Sequence, residues 1–151
     1  MSYSANTKTD LEAWTIDDSE FDLKLNRRVL DRSGAFAQIR GFSTAQTALE
    51  ALREVDTLPD VIFLDVMMPI KNGFDFLAEA TEEFGDDFNS RVVITLTSSL
   101  NPADRKKAES FAAVRGFLSK PLTVDDSHQI AARAADMLND VHPVNTRAEA
   151  G

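Results

Sequence analysis

The sequence predicts an α/β domain in which helices cover both faces of a parallel β-sheet. Two segments, VIFLD at 61–65 and VVITLT at 92–97, are nearly continuous apolar runs, which is typical of parallel strands buried on both faces. Strand-like and helix-like segments alternate along the chain, and successive βα units favour a doubly wound sheet. The length of 151 residues suits one compact domain that folds without disulfides or a structural metal.

Five segments are candidates for strands. The first reads LEAWTI and is less apolar than the third and fourth. Right-handed crossovers between parallel strands limit the ways in which the five can be ordered. The predicted strands are residues 11–16, 37–42, 61–65, 92–97 and 115–119.

Apolar residues at helical spacing predict a helix after each of the first three strands. Ser43 and Gln46 match a capping box at the start of the second helix. The apolar positions of the three helices are Phe21, Leu25 and Val29; Ala45, Ala48, Leu49 and Leu52; and Phe74, Leu77, Ala80 and Phe84.

Local capping signals predict the last two helices. Asn101 followed by Pro102 indicates an N-cap with proline at the first helical position. Thr123, with Asp125 and Asp126 in the first turn, begins a last helix. The acidic run between residues 82 and 87 indicates a solvated helix end and a loop. Residues 1–10 and 141–151 carry no periodicity and are expected to be flexible tails.

Composition and charge exclude several classes of function. Acidic residues outnumber basic residues 25 to 16, and the net charge of −9 argues against nucleic acid or an anionic membrane as a direct partner. The absence of cysteine excludes a disulfide framework and a thiolate metal site. No segment has the length and apolarity of a signal peptide or a membrane span, so we expect a cytoplasmic protein.

Chemically useful side chains cluster at the predicted ends of the strands. Asp17 and Asp18 follow the first strand, Asp65 ends the third, Thr97 ends the fourth, and Lys120 follows the fifth. Any one of them has an ordinary structural explanation, such as a helix cap or a surface lysine. In doubly wound sheets, however, ligands bind beyond the carboxyl ends of the strands. Together the five residues therefore predict a functional site at that edge.

These residue types suit phosphoryl transfer. Clustered carboxylates repel one another by about 1 to 4 kcal/mol per pair at 4 Å, and a hard divalent cation relieves that repulsion. Mg²⁺ prefers a few carboxylates together with waters and phosphate oxygens. A carboxylate can act as the nucleophile and form an acyl phosphate, while lysine and threonine donate hydrogen bonds to the phosphoryl oxygens.

Four stretches resemble the receiver domain of bacterial response regulators, the phosphoacceptor module of two-component systems. They are IDDSEFD, VIFLDVMMPIKNGFDFL, VVITLTSS and GFLSKPL. The resemblance spans residues 11–140 and implies a flavodoxin-like (βα)5 sheet with strand order 2-1-3-4-5. It also implies a signalling domain that is not an enzyme, beyond catalysing its own phosphorylation and dephosphorylation.

The resemblance assigns a role to each site residue. Asp65 matches the phosphoacceptor. Asp17 and Asp18 match the acidic pair that holds Mg²⁺, with Asp65 and the backbone carbonyl of Met67 as further ligands. Thr97 and Lys120 match the conserved hydroxyl and lysine, and Thr97 and Phe117 match the pair that switches conformation on activation. Pro69 and Gly73 match the loop after Asp65, and the Lys120–Pro121 bond is commonly cis in the family.

The sequence departs from the family pattern in three places. Ala113 and Val114 stand where the family usually has Gly-Ala, Phe117 replaces the commoner tyrosine, and Thr15 is polar within a usually apolar strand. The first two departures bear on the output surface. None removes a side chain with a chemical role.

Three other readings compete with a phosphorylated receiver. A haloacid-dehalogenase-type phosphatase needs a second aspartate two residues after the nucleophile, where this chain has Met67. A receiver-like adaptor that is never phosphorylated does not need all five site residues. A transcription factor needs a DNA-binding domain, and about thirty residues after Lys120 leave no room for one.

The expected donor is a histidine kinase or a histidine phosphotransfer protein. Output is expected through protein contacts, either with a downstream protein or with a second copy, by way of the last helix and the fifth strand. The alternative is a phosphate sink that drains a kinase and has no phosphorylation-dependent output.

Overall fold

The computed structural model describes residues 10–98 and 101–139. Strands and helices alternate along this part of the chain, with one additional short helix before β4. The tails predicted at 1–10 and 141–151 lie outside the described residues, apart from Asp10. The elements are β1 Glu12–Ile16, α1 Glu20–Ser33, β2 Gln38–Phe42, α2 Ala45–Glu54, β3 Val61–Leu64, α3 Gly73–Phe84, α4 Asp86–Asn89, β4 Val92–Thr97, α5 Pro102–Glu109, β5 Val114–Ser119 and α6 Val124–Asn139.

The five strands form one parallel sheet in the order β2-β1-β3-β4-β5. This confirms the predicted doubly wound, flavodoxin-like fold and its strand order. Each predicted strand is present, with ends that differ from the prediction by at most one residue. None of the helices in the described ranges is long and apolar enough to cross a membrane.

Alternating side chains of the strands build a separate core on each face of the sheet. On one face, Trp14 and Ile62 pack with residues of α2 and α3, including Phe76. On the other face, Phe63 packs with Leu30 of α1, and Ile130 of α6 belongs to the same core. Because β1, β3 and β4 are covered on both faces, nearly all of their residues are buried, including the threonines.

The apolar stripe predicted for α1 is only partly buried: Val29 packs against the core, but Phe21 does not. Phe21 is 73% exposed, whereas Asn26 and Leu30 are buried. The Asn26 amide donates to the Thr15 hydroxyl of β1 at 3.3 Å, so a polar pair lies where the apolar pattern predicts none. This contact also accounts for the polar Thr15 in a buried strand, since the hydroxyl keeps a hydrogen-bond partner.

Two other local predictions need correction. Thr44, not Ser43, is the N-cap of α2, because the helix begins at Ala45 and the Thr44 hydroxyl accepts from the Thr47 amide. Asp86 and Asp87 open the short helix α4 in the segment expected to be a loop. The caps predicted at Asn101 and Thr123 are confirmed, because their side-chain oxygens accept hydrogen bonds from the backbone amides of Asp104 and Asp126.

Candidate functional site

The polar residues predicted at the strand ends lie at one edge of the sheet. Parallel pairing continues one residue past several strands and positions the backbone of these residues. The backbone bonds run from the Asp17 amide to the Phe42 carbonyl (3.0 Å), from Asp65 to Ile16 (2.9 Å) and from Lys120 to Thr97 (3.1 Å). The backbone ladder therefore brings together residues that are more than a hundred positions apart in the chain, such as Asp17 and Lys120.

Three carboxylates converge at this edge. Asp17, Asp18 and Asp65 each offer one oxygen, and these oxygens all lie within 4.8 Å of one another. Asp17 and Asp65 are buried, whereas Asp18 is exposed. Amides of the following loops hold the two buried carboxylates: Ser19 donates to Asp17 and Met67 donates to Asp65, both at 2.9 Å. An all-oxygen donor set with one member open to solvent fits Mg²⁺, which keeps some of its waters.

Lys120 lies among the carboxylates. Its ammonium nitrogen is 2.7 Å from Asp17 Oδ2, 2.8 Å from Asp22 Oδ2 and 3.4 Å from Asp65 Oδ2. The peptide bond to Pro121 is cis, as the resemblance implies. The lysine thus supplies the one positive side chain shown in contact with these carboxylates in the described part of the chain.

The buried charges shift the pKa values of two groups. Burial raises the pKa of Asp17 above its ordinary 3.8, and the nearby Asp65 charge adds to this, although hydrogen bonds from Lys120 and Ser19 oppose it. Burial alone would lower the pKa of Lys120, but its contacts with Asp17, Asp22 and Asp65 hold it well above its usual range. Ionised Asp17 therefore destabilises the fold above its raised pKa; this cost shrinks as the pH falls through that pKa and is gone below the ordinary pKa of an aspartate in the unfolded chain.

Sequence reasoning missed Asp22. It lies in the first turn of α1, where an acidic residue is usually explained by the helix dipole. Ser19 caps this helix, and its hydroxyl accepts from the Asp22 amide at 3.2 Å. A signal was available in the sequence: a helix that begins just after Asp18 has its first turn next to the strand ends.

Thr97 lies on β4, and Phe117 lies on the neighbouring edge strand β5. Thr97 is buried at the end of β4, and Phe117 pairs in register with Thr95 of β4. Phe117 is half-buried and packs against the core that contains α2 and α3. The guanidinium of Arg105, on α5, lies 4.4 Å from the centroid of the Phe117 ring.

The loop after Asp65 is tightly packed around Gly73. Its amide donates to the Val66 carbonyl at 3.1 Å, and a Cβ at Gly73 would lie 2.5 Å from the Val66 Cα. Asn72 and Asp75 then form a capping box that begins α3. Met67 is 57% exposed, whereas Met68 is largely buried against the core and also lines the cleft next to Asp18.

Comparisons with known proteins agree with this geometry. The family model for the response regulator receiver domain matches residues 14–133. The chemotaxis protein CheY of Halobacterium salinarum is 30% identical over 106 residues, which cover 70% of this chain and 81% of that protein. The sensor histidine kinase CheAY of Helicobacter pylori is 25% identical over 91% of this chain, which spans 16% of that longer protein.

Solved structures show the same fold. A two-component response regulator from Cytophaga hutchinsonii aligns with a TM-score of 0.77 and 26% identity, covering 84% of this chain and 98% of that one. The chain is thus similar both to separate regulators and to part of a histidine kinase.

Proposed function

This chain belongs to the response regulator receiver domain family, whose members are signalling domains of two-component systems rather than ordinary enzymes, and on that premise we propose that Asp65 accepts a phosphoryl group from a histidine kinase or a histidine phosphotransfer protein. The observation that carries the proposal is the convergence of Asp17, Asp18 and Asp65 beside Lys120. The proposed receiver domain comprises residues 11–140.

The chemistry needs little covalent help from the protein. A carboxylate oxygen of Asp65 forms a bond to phosphorus while the bond from phosphorus to the donor's histidine nitrogen breaks, giving an acyl phosphate. The Met67 amide restrains the Asp65 side chain from the opposite oxygen to the one nearest Lys120. Lys120 and Thr97 then donate hydrogen bonds to the phosphoryl oxygens.

Receiver domains bind Mg²⁺ at an acidic pocket, and the donor set of this chain fits that ion. We propose Asp17, Asp18, Asp65 and the backbone carbonyl of Met67 as its ligands. When bound, Mg²⁺ neutralises charge on the carboxylates and the transferred phosphoryl oxygens. Hydrolysis of the acyl phosphate at the same site returns the chain to its resting state. In this proposal the chain therefore catalyses both its own phosphorylation and its own dephosphorylation.

A cleft of about 200 Å³ borders the proposed site at Asp18. It lies between the loop before α2 and the loop after Asp65, and Ile70 on its rim is fully exposed. The lining residues are Asp18, Ser43, Thr44, Ala45, Gln46, Met68, Pro69, Ile70 and Lys71. Asp18, the exposed member of the three carboxylates, is thus the part of the proposed site that faces this cleft.

Covalent labelling tests the proposal. The chain is incubated with Mg²⁺ and a small acyl-phosphate donor, or with a phosphorylated histidine phosphotransfer domain, and analysed by intact mass and peptide mapping. One phosphoryl group per chain, mapped to Asp65, is expected. A chain that remains unlabelled by every donor tested would contradict the proposal.

Replacing both Asp17 and Asp18 with Asn should weaken Mg²⁺ binding by at least about tenfold, because two charged oxygen ligands are lost. Titration of the metal followed by calorimetry measures this. The metal-free variant should be no less stable than the wild type at neutral pH, because the buried Asp17 charge costs stability there.

The matched control for the metal prediction is the Asp56→Asn, Asp136→Asn double variant, which removes two exposed aspartates away from the strand ends. Its Mg²⁺ affinity should stay near that of the wild type. An unchanged titration in the Asp17 and Asp18 variant would refute the assigned ligands.

We further propose that Thr97 and Phe117 link phosphorylation to output. A phosphoryl group on Asp65 draws in the Thr97 hydroxyl, and the Phe117 ring fills the vacated space. Because phenylalanine has no hydroxyl to desolvate, it turns inward more easily than tyrosine would. The surface of α5, β5 and α6 then changes shape and binds a downstream protein or a second copy.

Removing the Arg105 guanidinium should favour the inward position of Phe117. A cation–π contact at a partly exposed ring contributes about 0.5 to 1 kcal/mol, so Arg105→Ala should raise the ratio of inward to outward Phe117 by roughly two- to fivefold. NMR of the Phe117 ring with and without beryllofluoride measures the two populations. Lys106→Ala, on the same helix, is the control. An identical Thr97 and Phe117 geometry with and without beryllofluoride would contradict the switch.

A further inference from the structure

Asp22 is the second-nearest partner of the ammonium group that the proposed chemistry requires. Lys120 Nζ lies 2.8 Å from Asp22 Oδ2 but 3.4 Å from Asp65 Oδ2. The two residues are 98 positions apart, so tertiary structure alone creates the contact. The Asp22 side chain is 27% exposed and that of Lys120 is 16% exposed, so water screens this pair only in part.

An ammonium group has three N–H donors, and here three carboxylates surround it. Asp17 and Asp65 belong to the group of carboxylates that offers a metal site, whereas Asp22 does not. Asp22 therefore attracts Lys120 without contributing to the proposed metal site. Its position on α1 draws the ammonium towards that helix and away from Asp65.

We propose that Asp22 is a positioning residue that competes with Asp65 for Lys120 and so slows phosphorylation of Asp65. The inference rests on the function proposed above and adds a regulating side chain to the same site. To contact a phosphoryl oxygen, the Lys120 ammonium must move, and its hydrogen bond to Asp22 weakens. The strength of that bond sets part of the barrier to phosphorylation and part of the driving force for the reverse loss of the phosphoryl group.

A purely structural role for Asp22 makes a different prediction. An acidic residue in the first turn stabilises a helix through the dipole wherever its side chain points. Glu20 lies in the same turn of α1 and is exposed. Glu20→Gln removes one negative charge from the same helix end and is the matched control for Asp22→Asn.

Asp22→Asn should be phosphorylated by a small acyl-phosphate donor roughly three- to tenfold faster than the wild type, because a charged hydrogen-bond partner of Lys120 becomes neutral. Glu20→Gln should keep the wild-type rate. In a Lys120→Met background the acceleration by Asp22→Asn should disappear, since the effect acts through the ammonium. Asp22→Glu, which retains the charge, should return towards the wild-type rate.

A second readout needs neither metal nor phosphodonor. The NMR signal of the Lys120 ammonium should shift, and its protons should exchange faster with water, in Asp22→Asn but not in Glu20→Gln. Thermal unfolding of both variants establishes that they are folded.

The outcomes separate this inference from the proposed function. If the wild type accepts no phosphoryl group, the proposed function fails and this inference fails with it. If the wild type is labelled but Asp22→Asn reacts at the same rate or more slowly, the inference alone is overturned. An acceleration that persists without Lys120, or an unshifted ammonium signal, would also overturn it.

Discussion

Asp65→Asn should no longer accept a phosphoryl group. The amide lacks the anionic oxygen that attacks phosphorus, although it keeps the size and the acceptor oxygen that the Met67 amide needs. Intact-mass analysis after incubation with Mg²⁺ and an acyl-phosphate donor should show labelling reduced to background, at least about a hundredfold below the wild type. The fold should persist, because one of the repelling buried carboxylates has been neutralised.

Asp56→Asn is the control for this experiment. Asp56 is exposed in the loop between α2 and β3, and its replacement should leave labelling unchanged. Label retained at the wild-type level in Asp65→Asn would show that another residue is the acceptor. Peptide mapping of the wild type would then identify that residue.

Gly73→Ala should destabilise the fold by about 3 kcal/mol, near the upper end of the range for overpacking. A Cβ at this position would lie 2.5 Å from the Val66 Cα and 3.0 Å from the Asp65 carbonyl oxygen. Both are backbone atoms, so the loop after Asp65 must move to make room. Urea unfolding measures the loss of stability, and the labelling rate of Asp65 should fall with it, because the displaced loop carries the amide that restrains the nucleophile.

Gly116→Ala is the matched control, since it adds the same methyl group at a half-buried position on β5. The nearest atom to its Cβ would be the Ile94 Cδ1 at 3.1 Å, which is the end of a flexible side chain. A change of rotamer can relieve this contact, so a loss of less than about 1 kcal/mol is expected. Equal effects of the two substitutions would contradict the packing argument for the loop.

The fold class and most of the site follow from local patterns in the sequence. Uniformly apolar segments predict strands buried on both faces, and helical spacing between them predicts parallel crossovers. In a parallel sheet the carboxyl ends of the strands share one edge, so residues that follow the strands are brought together whatever their distance in the chain. For this reason the sequence places Asp17, Asp65, Thr97 and Lys120 at one edge, where the structure has them.

The orientation of α1 could not be predicted in this way. Periodicity identifies a buried face by its apolar residues, and this helix buries Asn26, whose partner Thr15 lies on β1. Such a pair leaves no periodic signal, because each member reads as polar and therefore as exposed. The same rule places the apolar Phe21 on the buried face, whereas its side chain is in contact with solvent.

The sequence alone therefore determined the parallel sheet, the order of the strands and helices along the chain, and the edge at which the chemistry lies. Only the tertiary structure decided which carboxylates share the Lys120 ammonium, and at what distances. The physical reason is that apolar burial is a property of each segment and repeats with the period of the helix or strand. A charged contact is a property of two segments, and its strength depends on a separation of a few ångströms that no local pattern encodes.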